Sequence, residues 1–187
     1  DRSEYSDGLV ATSGCLRGEL TSCLLADNRD KAKETIGFYR DVFGPDRYYI
    51  ELQDHGLADQ AKLNPHLVDL SREMGVPLVA TNDCHFLNPE DRHIQDVMIC
   101  IQTNKKLSDT NRIQAYTPHH YYKSPEEMAR VFDWVPEALQ NTVRIAEMVT
   151  YDPPLDQFHF PVFEPEDGSS PEEFLRKKSH KGLADRF

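Results

Sequence analysis

Pro77-Leu-Val-Ala-Thr-Asn-Asp-Cys-His-Phe-Leu87 is an apolar run that ends in a carboxylate and an imidazole two residues apart. Pro77 to Ala80 has the uninterrupted, branched apolar character of a short buried strand, and it follows Gly75, which closes a helical pattern. Side chains alternate faces along a strand, so Asp83 and His85 are expected to point the same way just past its end. A carboxylate beside a neutral imidazole suits a divalent ion of the Zn or Mn kind. A second reading stands beside it: Asp83 caps the next helix and His85 is a satisfied loop histidine.

Two more strands frame this one. Gly8-Leu-Val-Ala-Thr-Ser13 reads as a short strand over 9–13 that runs into Gly14-Cys15, where the cysteine is either a donor at a strand end or one more small buried hydrophobe. Tyr48 to Leu52 is aromatic and branched and passes into Glu51-Leu-Gln-Asp-His-Gly56. Glu51 and His55 either look into the same mouth or belong to a polar turn before glycine. Between the strands lie helical patterns at Glu19 to Ala26, from an Asn28 cap to Phe43, and at Ala58 to Met74, the last with Leu63, Leu67, Leu70 and Met74 on one stripe. A helix from Pro89 to Ile101 is expected to turn Ile94, Val97, Met98 and Ile101 inward and to leave His93 exposed.

Lys105 to His120 has no clean period and reads as a long loop, with an irregular strand at His120 to Lys123. Ser124-Pro-Glu-Glu127 is a capping box that opens a helix to Phe132, and Pro136 opens another to Thr150, with Ala138, Leu139, Val143, Ala146 and Val149 available for packing. Tyr151 to Gly168 is proline-rich and acidic, the composition of a surface linker, and Ser170-Pro-Glu-Glu173 caps a last helix from Pro171. Strands alternating with helices point to an α/β fold with parallel strands, whose right-handed crossovers put all strand ends on one face. Chemistry in such folds sits at those carboxyl ends, where Cys15, Glu51, His55, Asp83 and His85 fall. Three placements on one rim set a shared metal site on equal footing with the blander readings. Three strands do not close a barrel filled by its own side chains.

Composition narrows the partners. The 187 residues include 32 Asp and Glu against 21 Lys and Arg, a formal net charge of −11. Holding DNA by phosphate neutralisation alone needs clustered Lys and Arg, so the balance argues against such a surface, whereas metal ions would let an acidic module handle phosphodiesters and acidity equally suits a scaffold docked to basic partners. Cys15, Cys23, Cys84 and Cys100 form no C-x-x-C pair, which fits free thiols in a reducing compartment. No apolar run reaches the roughly 20 residues that span a bilayer, and Asp1-Arg-Ser-Glu-Tyr-Ser-Asp7 is no signal peptide, so a cytoplasmic location away from the membrane is expected.

Five blocks in order, Ser13-Gly-Cys-Leu-Arg-Gly-Glu19, Glu51-Leu-Gln-Asp-His-Gly56, Ala80-Thr-Asn-Asp-Cys-His-Phe86, Cys100-Ile-Gln-Thr103 and Lys123-Ser-Pro-Glu-Glu-Met128, resemble the PHP domain of the alpha subunit of bacterial DNA polymerase III. Phe158-His-Phe-Pro-Val-Phe163 with Ser170-Pro-Glu-Glu-Phe-Leu175 similarly looks like the passage into the first helix of the polymerase palm. The resemblance implies a distorted (β/α)7 barrel with up to three metal ions held by His, Asp, Glu and Cys at the strand ends. By matching motif, Cys15 stands where the family has a His or Cys ligand, and Asp83 and His85 stand at its closing Asp-x-His pair; Glu51 and His55 match a block for which the resemblance implies no ligand role. The family's early His-x-His and the next His and acidic ligands have no counterpart here. The implied division is a partial PHP domain over 1–150 without its first strands, a Pro-rich linker over 151–169 and the start of the palm over 170–187.

Three functions follow from the resemblance. In a full-length polymerase, Zn, Mn or Mg at Cys15, Asp83, His85 and the absent ligands would serve a 3′–5′ proofreading exonuclease, with DNA and other replisome subunits as partners. Alternatively the domain is a non-enzymatic brace that docks a separate exonuclease subunit. A free-standing PHP phosphatase acting on a small phosphate ester such as histidinol phosphate shares the metal chemistry but not the Lys123 to Met128 block. The chain alone is expected to be inactive and to bind metal poorly.

Overall fold

The computed structural model describes residues 4–114, 116–158 and 160–187; the head of the N-terminal stretch and His159 of the 158–163 block lie outside these. In chain order the elements are β1 (Ala11–Thr12), α1 (Glu19–Leu25), α2 (Arg29–Phe43), β2 (Tyr48–Leu52), α3 (Ala58–Met74), β3 (Leu78–Ala80), a 3-10 turn (Pro89–Asp91), α4 (Arg92–Gln102), α5 (Pro125–Val131), α6 (Pro136–Met148) and α7 (Pro171–Arg186). The chain divides into two compact units, 1–149 and 150–187.

In the first unit the strands form a parallel sheet in the order β1-β2-β3, with Thr12 opposite Tyr49 and Ile50, Glu51 and Leu52 opposite Leu78, Val79 and Ala80. This is the expected α/β alternation. Both outer strands are shorter than the sequence suggests, because the apolar runs extend past the paired residues. Leu9 donates to Ser6 in a turn rather than to the sheet, and Pro77 has no N–H to give, although its carbonyl accepts from Ile50 at 2.9 Å.

Tyr48, Ile50 and Leu52 put one face of the central strand into a core with Leu78 and Ala80, closed by Leu20 of α1, Ala32 and Ile36 of α2, and Leu67, Val68 and Leu70 of α3. Each of the buried Leu, Ile and Val side chains contributes about 1.5–3 kcal/mol by leaving water. The helices form where the spacing predicts them: the Asn28 side chain accepts from Lys31 N–H at 3.0 Å, and α3 runs through Pro65 with Leu63, Leu67 and Leu70 inward. The Ser124 capping box forms, with Ser124 accepting from Glu127 N–H at 3.2 Å and Glu127 accepting from Ser124 N–H at 2.8 Å. On the far side, α6 lies on β3 and Asn141 Nδ2 donates to the Leu78 carbonyl at 2.7 Å.

Two expected packing faces are not buried. On α4, Ile94, Met98 and Ile101 are exposed, and Cys100 is the residue that turns inward. The physical reason lies on the opposite side of the helix, where Arg112 pairs with Asp96 and Arg92 Nε donates to Tyr116 O at 2.8 Å. The long loop therefore grips the polar side of α4 and leaves the apolar stripe outward. On α6, Val143 and Ala146 are likewise exposed, as is Val149 just past its end, because contact with β3 and α5 uses Ala138, Leu139 and Asn141.

In the second unit, 151–168 holds neither helix nor strand among its described residues, and α7 begins at a capping box in which Ser170 and Glu173 exchange bonds of 3.3 and 3.2 Å. α7 buries no residue; its Phe174 meets Phe163 at a ring-centroid distance of 5.4 Å.

Candidate functional site

The rim of the sheet is built from two loops and a returning segment. Past β1, Ser13 N–H still donates to Tyr49 O at 2.9 Å; the chain then turns at Gly14, whose φ of 77° lies in the left-handed region. The loop closes on itself, as Gly18 N–H and Thr21 Oγ1 both donate to the Cys15 carbonyl, at 2.8 and 2.7 Å. A Cβ on Gly18 would lie 2.4 Å from the Ser13 carbonyl, so the second glycine of Ser13-Gly-Cys-Leu-Arg-Gly18 is required by close approach. Cys15 is left exposed.

Past β3, Thr81 N–H donates to Leu52 O at 3.0 Å and the chain continues to His85, whose N–H donates to His120 O at 2.8 Å. The expected irregular strand at 120–123 is a single parallel bridge between Phe86 and Tyr121. Asp83 and His85 do share a side: His85 Nε2 stands 2.9 Å from Asp83 Oδ1. The helix-cap reading of Asp83 is set aside, because Asn88 and Asp91 form the capping box of the following 3-10 turn and Asp91 Oδ2 accepts from Asn88 N–H at 3.0 Å.

Cys15, Asp83 and His85 line one cleft of about 350 Å³, with Arg17, Tyr116 and His120 on its wall. The His85 ring stacks on Tyr116 at 3.9 Å between centroids. Among the described residues no three His, Cys, Asp or Glu side chains come close enough to hold an ion. The donor chemistry therefore suits a transition metal, with an imidazole and a carboxylate side by side and a thiol across the cleft, but these residues do not complete a metal site by themselves.

His55 and Glu51 are not among the residues that line this cleft. His55 is 1% exposed, and its tautomer follows from its partners. Gln60 Oε1 accepts from the His55 backbone N–H at 2.7 Å, so the Gln60 amide nitrogen, 3.0 Å from Nδ1, is the donor there. The ring proton then sits on Nε2, which donates to Asn82 Oδ1 at 3.3 Å; Asn82 is itself oriented by donating to Tyr121 O at 2.8 Å. With Nε2 protonated, the Asp83 amide 3.2 Å away meets a donor rather than a lone pair, so the strong contacts of the ring are those to Gln60 and Asn82. Burial, helped by the neighbouring His120 and the Lys123 ammonium, pushes the His55 pKa down to about 4, and the ring is neutral at pH 7. His120 stacks on it at 4.2 Å and is also shifted down, chiefly by burial. Lys123, lowered by burial, donates to His119 O and, at 3.3 Å, to Asn82 Oδ1.

Glu51 is half-buried and accepts from Thr12 Oγ1 at 2.5 Å, Thr81 Oγ1 at 2.5 Å and Gln53 Nε2 at 2.9 Å. Sequence reading missed Gln60, Asn82, His120 and Lys123. For Gln60 a signal existed, since it and Asn64 fall in the buried register of α3 with Leu63 and Leu67, where a polar side chain must have a partner. For His120, in a loop without period, there was none.

The sequence model of the family described as "PHP domain" matches residues 2–55. A DNA polymerase III subunit alpha from Treponema pallidum (strain Nichols) is 41% identical over 186 residues, 99% of this chain and 16% of that protein. The chain belongs to the PHP family, in the form found in DNA polymerase III alpha subunits. Proteins of the same name from Borreliella burgdorferi, 42% identical over 193 residues, and Deinococcus radiodurans, 36% over 190, match 100% and 98% of this chain and 16% and 14% of their own lengths. The PHP chain thus spans about a sixth of the length of the relatives it matches. Cys15, Glu51 and His55 fall within the PHP match; Asp83 and His85 fall beyond it, in the span shared with the polymerase subunits.

Proposed function

We propose that this chain is part of the alpha subunit of a DNA-directed DNA polymerase acting in the bacterial cytoplasm, and that Cys15, Asp83 and His85 contribute to a divalent-metal site serving 3′–5′ proofreading. The observation that carries the proposal is that a thiol, a carboxylate and an imidazole line one cleft at the carboxyl edge of a parallel sheet, the last two 2.9 Å apart. Other donors of a longer polypeptide complete the site and the remaining strands of a distorted (β/α)7 barrel. A bound Zn, Mn or Mg ion would supply charge stabilisation and a more acidic water. This chain's own part is to hold donors: the buried His55 and Asn82 brace the Asp83 loop, and Arg17 on the cleft wall offers a cation to a phosphodiester. Residues 151–169 then serve as linker and 170–187 as the start of the palm, with DNA and other replisome subunits as partners.

A second reading, a non-enzymatic brace that docks a separate exonuclease subunit, is favoured by the lack of any three donors within reach of one ion among the described residues. The full-length protein separates the two. Asp83→Asn keeps the ligand's shape and removes most of its charge, so it should abolish a Mn- or Zn-dependent exonuclease and spare primer extension. Extension without exonuclease in any divalent metal leaves the brace standing. Failure of extension in the unmodified protein removes the polymerase assignment.

A further inference from the structure

We propose that Glu51 is a positioning residue that sets the separation of the two loops carrying Cys15 and Asp83. Glu51 belongs to the central strand, and those loops leave the two strands that flank it. Its carboxylate reaches both ways: Oε2 accepts from Thr12, three residues before Cys15, and Oε1 accepts from Thr81, two residues before Asp83, each at 2.5 Å. Its backbone N–H also donates to Ser13 Oγ at 2.9 Å, a further tie to the Cys15 loop. Gln53 Nε2 holds the Thr81 side of the arrangement, donating to Glu51 Oε1 at 2.9 Å and to Thr81 Oγ1 at 3.2 Å.

The twist of the sheet gives this arrangement a purpose. Neighbouring strands lie about 4.8 Å apart and are rotated by roughly 20–25° to one another, so β1 and β3, about 10 Å apart, point their tails in diverging directions. A single charged acceptor between two hydroxyl donors ties both strand ends at one distance, and hydrogen bonds to an ionised group are about twice as strong as neutral ones. Loop positions set this way decide whether a thiol and a carboxylate on opposite walls can face one ligand, and in that respect the inference rests on the metal-site reading above.

Two measurements on the full-length protein test it. In metal-free protein, Glu51→Ala should speed amide hydrogen exchange about tenfold or more over residues 13–18 and 81–85 while α6 stays unchanged, and Glu51→Gln, which keeps the shape and one carbonyl acceptor, should hold the rate within about threefold. In Mn²⁺ titrations the same Ala variant should lose about 10- to 100-fold in affinity and the Gln variant much less. If the unmodified protein takes up no Mn²⁺, the metal-site reading fails, and the exchange data still decide the positioning role. Unchanged exchange in both loops, or a uniform acceleration across the unit that Gln does not restore, overturns it. Should Glu51→Ala not fold, Thr12→Val and Thr81→Val take its place: each should loosen its own loop, and no change in either overturns the proposal.

Discussion

His85 Nε2 stands 2.9 Å from Asp83 Oδ1, and both side chains remain partly open to solvent, at 28% and 43% exposure. Both residues lie in the loop past the end of β3, and their side chains meet on one side of it. The Cys15 and Asp83 loops face each other across the cleft, yet the thiol, carboxylate and imidazole do not gather around one point.

Metal retention by the 187-residue chain should therefore be poor. After dialysis against metal-free buffer, elemental analysis should find well under one equivalent of zinc or manganese, since a closed site wants about four donors. Stoichiometric metal that disappears on Cys15→Ala would contradict this expectation.

The buried histidine predicts a pH dependence of known sign. His55 has a folded pKa of about 4 against an ordinary 6.5, so between those values the unfolded chain binds the extra proton. Its contribution to stability is complete above pH 6.5 and is lost as pH falls toward 4, up to about 3 kcal/mol in all. Urea unfolding at pH 7 and pH 4.5 should show this loss in the unmodified chain, and His55→Gln should show a smaller one. Equal losses in the two would place the titrating group elsewhere.

The outward stripe of α4 and the inward stripe of α3 should respond oppositely to truncation. Leu67→Ala leaves a cavity in the core and should cost about 2–5 kcal/mol, whereas Ile101→Ala, at a side chain 70% exposed, should change stability by less than about 0.5 kcal/mol. Denaturant melts of the chain check both, and a large cost at Ile101 would mean that this face is covered.

Gly18→Ala should disturb the Cys15 loop directly. The new Cβ would meet the Ser13 carbonyl at 2.4 Å, so the 13–18 backbone must shift, at a cost of about 1–3 kcal/mol. Faster hydrogen exchange confined to that loop is the expected signature, and a variant as protected as the unmodified chain would show that the loop relaxes freely.

The sequence by itself determined the alternation of three parallel strands with helices, the Asn28 and Ser124 caps, the inward stripe of α3 and the shared side of Asp83 and His85. All of these depend on spacings of two to four residues, which local backbone geometry fixes. Only the tertiary structure decided that the apolar stripe of α4 faces outward, that His120 stacks on His55, that Lys123 reaches Asn82 and that Glu51 joins Thr12 to Thr81. The physical reason is that periodicity says which residues share a face but not what lies against it. Asn82 and Lys123 are 41 residues apart, separated by α4 and by the loop after it that has no period, and their meeting is set by the packing of that loop on the polar side of α4.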